Sequence, residues 1–297
     1  MITNGVYLLM HSSRGFFFSK IFFLLGICVL LSFGAEKSFA VSYTAAQIKK
    51  MVPHKALYDI DLVATHSGSQ IINISGLMYY EWKPVCDAWV TDHRFNLQYE
   101  YADTPSVQVI SDFSTYESFT GSSFDFSSRR RRNGELYEEL RGYAQTDKDG
   151  GEAIYNAPDG LVYTLPEDTH FPMGHTLSIM KHAQEGKNFF RSTVFDGSDQ
   201  DGPISISAFI GKKINPLKEI SPSSDIEMSL VNTPAWNVRM AVFPLSNPRE
   251  DSDYEMSMVF HDNGVISTML VEYEDFSIEQ KLVALEKVDA EKCEAPQ

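Results

Sequence analysis

From Leu57 onward the apolar residues of this chain recur with period two, in about a dozen runs separated by short stretches of turn residues. Period two is the side-chain repeat of a β-strand, so the chain is predicted to be mainly β. Leu57, Asp59, Asp61 and Val63 alternate with Tyr58, Ile60 and Leu62, and Ile72, Ile74, Gly76 and Met78 alternate with Asn73, Ser75 and Leu77. His66-Ser67-Gly68-Ser69-Gln70 lies between these runs as turn material, so they predict a hairpin. Further strands are predicted over 88–101, 107–119, 123–131, 135–145, 189–195, 204–210, 226–231, 237–243, 254–261 and 265–273. Asn263-Gly264 between the last two predicts a type I′ turn, whose central residues both take positive φ. From Phe276 to Leu285 alternation suits a strand, whereas Leu282, Leu285 and Val288 would also suit a helix. So many strands cannot lie in one flat sheet; the sheet must curl, close or fold on itself.

Two segments break the strand rhythm. Thr44 can cap a short helix running to Met51 and ended by Pro53. Phe171-Pro172-Met173-Gly174-His175 leads into 176–185, where Leu177, Met180 and Ala183 fall at helical spacing, and Gly186 is placed to cap the end in a left-handed conformation. No internal repeat and no Pro/Ser-rich linker divides residues 41–297, which predicts a single domain.

The first forty residues read as an address. Arg14 and Lys20 precede the apolar run 21–31, which is short for a bilayer span, and Ser38-Phe39-Ala40 offers small residues where a signal peptidase reads. Cleavage is expected after Ala40, with export to the periplasm and no membrane span left behind; an uncleaved anchor is the alternative. Ile27 before Cys28 argues against lipidation, which would need a small residue there. The net charge is −15, and loss of Arg14, Lys20, Glu36 and Lys37 makes it −17. Such acidity argues against a nucleic-acid partner, which calls for a basic face.

Removal of Cys28 leaves Cys86 and Cys293, 207 residues apart. In an oxidising compartment they are a disulfide candidate; so long a loop gives an upper figure of roughly 5 kcal/mol from chain entropy. Free or intermolecular thiols are the other reading, and a metal site lacks the local CxxC spacing.

Motifs for chemistry are sparse. His170, His175 and His182 form a cluster without a carboxylate that completes a zinc pattern, so His175 is better read as organising the helix entry, and no metal or other cofactor is expected. The chain has no GxSxG elbow, no P-loop and no GxGxxG fingerprint. Acidic pairs are too plentiful to single out a glycosidase pair. Arg129-Arg130-Arg131-Arg132 could hold a lipid phosphate or an acidic segment. The favoured reading is a solvated strand end paired with Glu135, Glu138 and Glu139. The 20 Phe, 14 Tyr and 3 Trp supply core and cross-strand packing.

Several stretches together resemble the cell-envelope integrity family EipB, periplasmic proteins of alphaproteobacteria. They are His54-Lys55-Ala56-Leu57-Tyr58-Asp59, Gly76-Leu77-Met78-Tyr79-Tyr80-Glu81 running to Cys86, Phe171-Pro172-Met173-Gly174-His175, Phe195-Asp196-Gly197-Ser198, Trp236-Asn237-Val238-Arg239-Met240-Ala241, Asn263-Gly264-Val265 and Cys293. The resemblance implies a single antiparallel β-spiral, a broken barrel of about 12–14 strands with a helix packed in its lumen. It also implies a disulfide between Cys86 and Cys293, and no catalytic residues. His175, Leu177 and Met180 would then belong to the luminal helix and its groove. The implied architecture is similar to that of periplasmic lipoprotein carriers and of sensor domains that bind lipoproteins or lipopolysaccharide. The reading is therefore a non-enzymatic periplasmic protein that supports envelope integrity by binding another envelope protein. The alternative is a carrier or sensor of a lipid or lipidated peptide on the concave face.

Overall fold

A computed structural model of the protein describes residues 45–289, apart from 219, 221–222 and 246–250. The expected leader, residues 1–40, and Cys293 lie outside the described residues. After helix α1 (Ala45–Lys50), eight strands follow in succession: β1 (His54–Thr65), β2 (Ile71–Val85), β3 (Ala88–Tyr101), β4 (Val107–Ser118), β5 (Ser123–Arg132), β6 (Glu135–Asp147), β7 (Gly150–Ala157) and β8 (Asp159–Leu165). Helix α2 (Pro172–Gln184) leads to β9 (Phe189–Val194) and β10 (Ile204–Ile214). A 3-10 turn (Pro216–Lys218) and the one-turn helix α3 (Met228–Val231) precede β11 (Ala235–Pro244), β12 (Tyr254–His261), β13 (Ile266–Tyr273) and β14 (Phe276–Lys287).

All fourteen described strands belong to one antiparallel sheet, in the order β8-β7-β6-β5-β4-β3-β2-β1-β14-β13-β12-β11-β10-β9. Two meanders are thus joined at a seam where β1 pairs with β14, from His54 opposite Lys287 to Thr65 opposite Phe276. The sheet does not close: β8 and β9 remain its two ends. It curls because many strands bury one face: β5 buries Phe124 and Phe126 and exposes Asp125, and β11 buries Trp236, Val238, Met240 and Val242 while exposing Asn237 and Arg239. A sheet with one apolar face must cover it, and a long twisted meander can do so by wrapping that face inward around a helix.

That helix is α2. Met173, Leu177, Ile179, Met180 and Ala183 are buried in one cluster with Trp82 and Trp89 from β2 and β3, and with residues of β10, β11 and β12 from the other meander. Strands from both sides of the seam therefore meet the same helix. The two sheet ends are drawn together by side chains. Phe124 stacks on Phe171 with centroids 5.0 Å apart, and Phe126 meets Phe195 edge-on at 5.6 Å. Arg130 donates to the carbonyl of Ser198 at 2.6 Å, Tyr155 to that of Asp199 at 2.6 Å, and Tyr163 to that of Gln200. A Cβ on Gly197 would come within 2.4 Å of the Phe126 ring, so this loop needs glycine, which also meets the φ of +65° there.

Several local readings change. Gly150-Gly151 onward forms β7 and β8, which the sequence reading left unassigned. Residues 226–231 do not form a strand: Ile226 makes a single parallel bridge to Leu285, on the stretch of β14 beyond the reach of β13, and the chain then turns into α3. The turn at Asn263-Gly264 is not type I′. Only Gly264 has positive φ, and bonds from Gly264 N to His261 O (3.0 Å) and from His261 N to Val265 O (2.9 Å) close a three-residue connection. Asn133-Gly134 is the two-residue turn with positive φ at both positions, +50° and +86°, between the paired residues Arg132 and Glu135. The ambiguous segment from Phe276 is strand β14.

The arginine run lies on β5 as a salt-bridged strand end. Arg129 pairs with Glu139 at 3.0 Å, Arg130 with Glu138, and Arg131 with Asp112 at 3.4 Å, while Arg132 lies over the Tyr137 ring.

Met180→Asp is expected to unfold the protein or lower its thermal midpoint sharply, because a carboxylate would be forced into the apolar contact between helix and sheet. Thermal denaturation followed by circular dichroism reads this; a midpoint near wild type would place that helix face in water.

Candidate functional site

Helix α2 enters the lumen without a local cap. Phe171 at the N-cap offers no side-chain acceptor, and Pro172 at the first position has no N–H to satisfy. The next two backbone donors find a distant partner instead: Met173 N and Gly174 N donate to the two carboxylate oxygens of Glu117 at 2.7 and 2.9 Å. Glu117 is on β4, opposite Trp89, and is almost wholly buried. Burial pushes its carboxyl up to about 8, against the two N–H bonds that favour the anion. At the other end, Gly186 (φ +69°) donates to Ala183 O and Lys187 N to His182 O, a Schellman arrangement that ends the helix where the sequence predicted.

Beside the first turn of α2 the lumen keeps a cavity of about 300 Å³. Met51, Met78, Met173, Met240, Met256 and Met269 wall it together with Phe113, Ile204 and Ile206. Polar groups share the wall: Thr91 and Thr115, which hydrogen-bond each other, His93, His175, Tyr80 and Gln280, with one carboxylate, Asp196. Desolvation holds His93 down to about 4 and His175 to about 3, and pushes the Tyr58, Tyr80 and Tyr254 hydroxyls up. Each of these shifts favours the uncharged form, as a low-dielectric wall requires. Among the described residues, His175 Nε2 is buried without a hydrogen-bond partner. The volume lies at the lower end of small-molecule sites, and its lining is of their kind: mostly apolar, with a few polar groups that could orient a ligand.

Of the helix residues singled out by sequence, His175 lines this cavity, whereas Leu177 and Met180 pack into the core cluster away from it. His182 stacks on Phe190 at 4.2 Å and holds Ser178 O at 2.8 Å, so it does not converge with His175 on a common point. Among the described residues no group of three His, Cys, Asp or Glu side chains could hold a metal ion. Cys86 occupies the two-residue turn between the paired residues Val85 and Ala88. Glu117, Thr91 and Thr115 were not anticipated; their role comes from strand pairing and from a helix 56 residues downstream, and no local pattern marks it.

The cavity and its surroundings set opposing pH dependences. His54, His93, His175 and His261 are held at about 4, 4, 3 and 4, below the unfolded value of 6.5. Their contribution is full above pH 6.5 and is lost as pH falls towards 4, because the unfolded chain binds those protons first. Glu117 works in reverse: its contribution is full below pH 4.5 and is lost as pH rises to about 8. Between pH 6.5 and 8 Glu117 therefore lowers stability by up to about 2 kcal/mol. Across that range the thermal midpoint of Glu117→Gln should rise relative to that of the wild type, in which the loss from Glu117 opposes the remaining gain from the histidines; parallel profiles for the two proteins would show that Glu117 does not titrate there.

An EipB-like family model matches residues 45–289, the whole span of the described sheet. The cell envelope integrity protein EipB of Brucella abortus (strain 2308) is 27% identical over 263 residues, covering 86% of this chain and 90% of that protein. Among solved structures, the crystal structure of a beta-barrel-like protein of domain of unknown function DUF1849, also from Brucella abortus, superposes with a TM-score of 0.74 at 26% identity. That match takes in 80% of this chain and 99% of the other. In sequence and in fold, the chain belongs to the EipB-like family.

Proposed function

We propose that the protein supports cell-envelope integrity without catalysis, as a periplasmic carrier or sensor that holds the acyl chain of a lipid or lipidated peptide in the lumen of its sheet. The supporting observation is the methionine-walled cavity beside α2. Methionine side chains are flexible and polarizable, so such a wall can adjust to an alkyl chain of variable length. The neutral His175, with its unpartnered Nε2, would hydrogen-bond a carbonyl or hydroxyl where the chain meets its head group. Native mass spectrometry of protein released gently from the periplasm should reveal a bound acyl-bearing mass, and Met256→Trp should abolish it while leaving the fold intact. An unliganded mass for both proteins would reject the carrier reading.

A second reading, docking of another envelope protein, draws on the open sheet. The outer edge of β8 has no strand partner among the described residues, and an extended segment could add to it. Crosslinking to one specific envelope protein, with an empty lumen, would favour this reading.

Export is part of the same proposal, with cleavage after Ala40 and a bridge between Cys86 and Cys293. Trp82 and Lys287 both pair with His54, so β2 and β14 flank β1 at one end of the sheet. The two strands are about 10 Å apart there, and Cys86 lies about 13 Å further along β2. Six residues from Lys287 to Cys293 extend to at most about 20 Å, enough to reach. Cys86→Ser is expected to lower stability by about 2–5 kcal/mol in denaturant unfolding and to leave one titratable thiol; unchanged stability would exclude the bridge.

A further inference from the structure

The chain is acidic overall, yet at one place its lysines gather. A groove of about 600 Å³ at the C-terminal end of α2 is lined by Lys50, Lys187, Lys212 and Lys213, with Trp236 and a single carboxylate, Asp262. Lys187 is neutralised by Glu185 at 2.7 Å, and Lys50 donates to Gln184 at 3.2 Å. Lys212 and Lys213 are exposed; neither makes an ion pair within 4 Å among the described residues, and Lys213 acts on Asp262 only at longer range, together with Lys50. Beside them, Phe189 and Phe209 are register partners on β9 and β10, 52% and 50% exposed, with ring centroids 4.9 Å apart. Asn188 and Gly211, in the groove wall, connect the aromatic pair to the lysines.

Two exposed aromatic rings beside unpaired lysines have the composition of a surface that rests on a membrane interface. The rings enter the apolar boundary and the ammonium groups meet lipid phosphates. A net charge of −15 would repel an anionic bilayer at long range. At physiological ionic strength charges beyond about 8 Å are largely screened, so the local lysines govern contact. We propose that this end of the sheet, with Lys212, Lys213, Phe189 and Phe209 at its centre, docks the protein onto an anionic phospholipid surface. The proposal is independent of what the lumen holds: its residues are exposed, whereas those of the cavity wall lie inside the curl of the sheet.

Co-sedimentation of the exported, processed protein, its amino terminus checked by mass, with large vesicles tests this. Vesicles of phosphatidylcholine containing phosphatidylglycerol should bind it at physiological ionic strength, and vesicles of phosphatidylcholine alone should bind at least about tenfold less. Binding should be lost at high salt. A lysine near an anionic surface is worth about fivefold in partition, so Lys212→Glu with Lys213→Glu should reduce binding well over about tenfold. Phe209→Ser should also weaken it, and Lys148→Glu, on the β6–β7 turn and outside the groove, should leave it unchanged, with thermal midpoints of all variants equal to wild type. Equal binding to neutral and anionic vesicles, wild-type binding by the double-lysine variant, or retention on immobilised polyglutamate without any vesicle binding would each overturn the proposal.

Discussion

The pairing of β1 with β14 is the contact on which the architecture rests. These are the first and last described strands, and their ladder turns two separate meanders into one sheet of fourteen. Without it, β2–β8 and β9–β13 would be two open sheets, each exposing an apolar face. With it, the strands on either side of the seam bury their inner faces on the same helix. The seam is reinforced where the chain enters and leaves it: Val288 N bonds Pro53 O at 3.0 Å, and Tyr58 donates to Ile266 O at 2.8 Å. Because the paired residues are more than 200 positions apart in sequence, closure of this ladder carries a large loop entropy and is expected to come late in folding.

A curled sheet with a helix inside it faces a problem that a helix on a surface does not: the N-terminal end of the helix enters a space that excludes water. The C-terminal end lies exposed and is closed locally, with Gly186. At the N-terminal end Glu117 reaches across from β4, and its burial is the cost of capping the helix from outside its own sequence. The same dry environment keeps His93 and His175 neutral. The result is a lumen whose wall combines neutral hydrogen-bonding groups and flexible thioethers with one carboxylate, Asp196, a combination suited to an alkyl chain with a polar junction.

The strand content was legible because most strands bury one face and so write alternation into the sequence; β1, β5 and β11 are clear cases. The helix was legible for the converse reason, a three-to-four spacing of apolar residues ended by Gly186. Strands β7 and β8 escaped because β7 begins at paired glycines and Asn156, Pro158 and Gly160 lie around their junction, which reads locally as loop. Residues 226–231 carry a plausible apolar pattern, but only one residue finds a free edge of β14. Family-level order of motifs, with its Phe-Pro-Met-Gly-His entry, pointed to the helix that carries His175. The polar floor of the cavity was not legible. Thr91, Thr115 and Glu117 acquire meaning only when β3 and β4 pair and α2 returns over them.

The central claim is that the space between α2 and the sheet admits an alkyl chain. Methyl-labelled methionine makes this directly measurable, since Met51, Met78, Met173, Met240, Met256 and Met269 line that space and Met228 does not. Nuclear Overhauser contacts between a protonated monoacylglycerol and the methionine methyls should appear at the six luminal residues and be missing at Met228. Contacts confined to Met228 and other methyls outside the lumen, or none at saturating lipid, would contradict it.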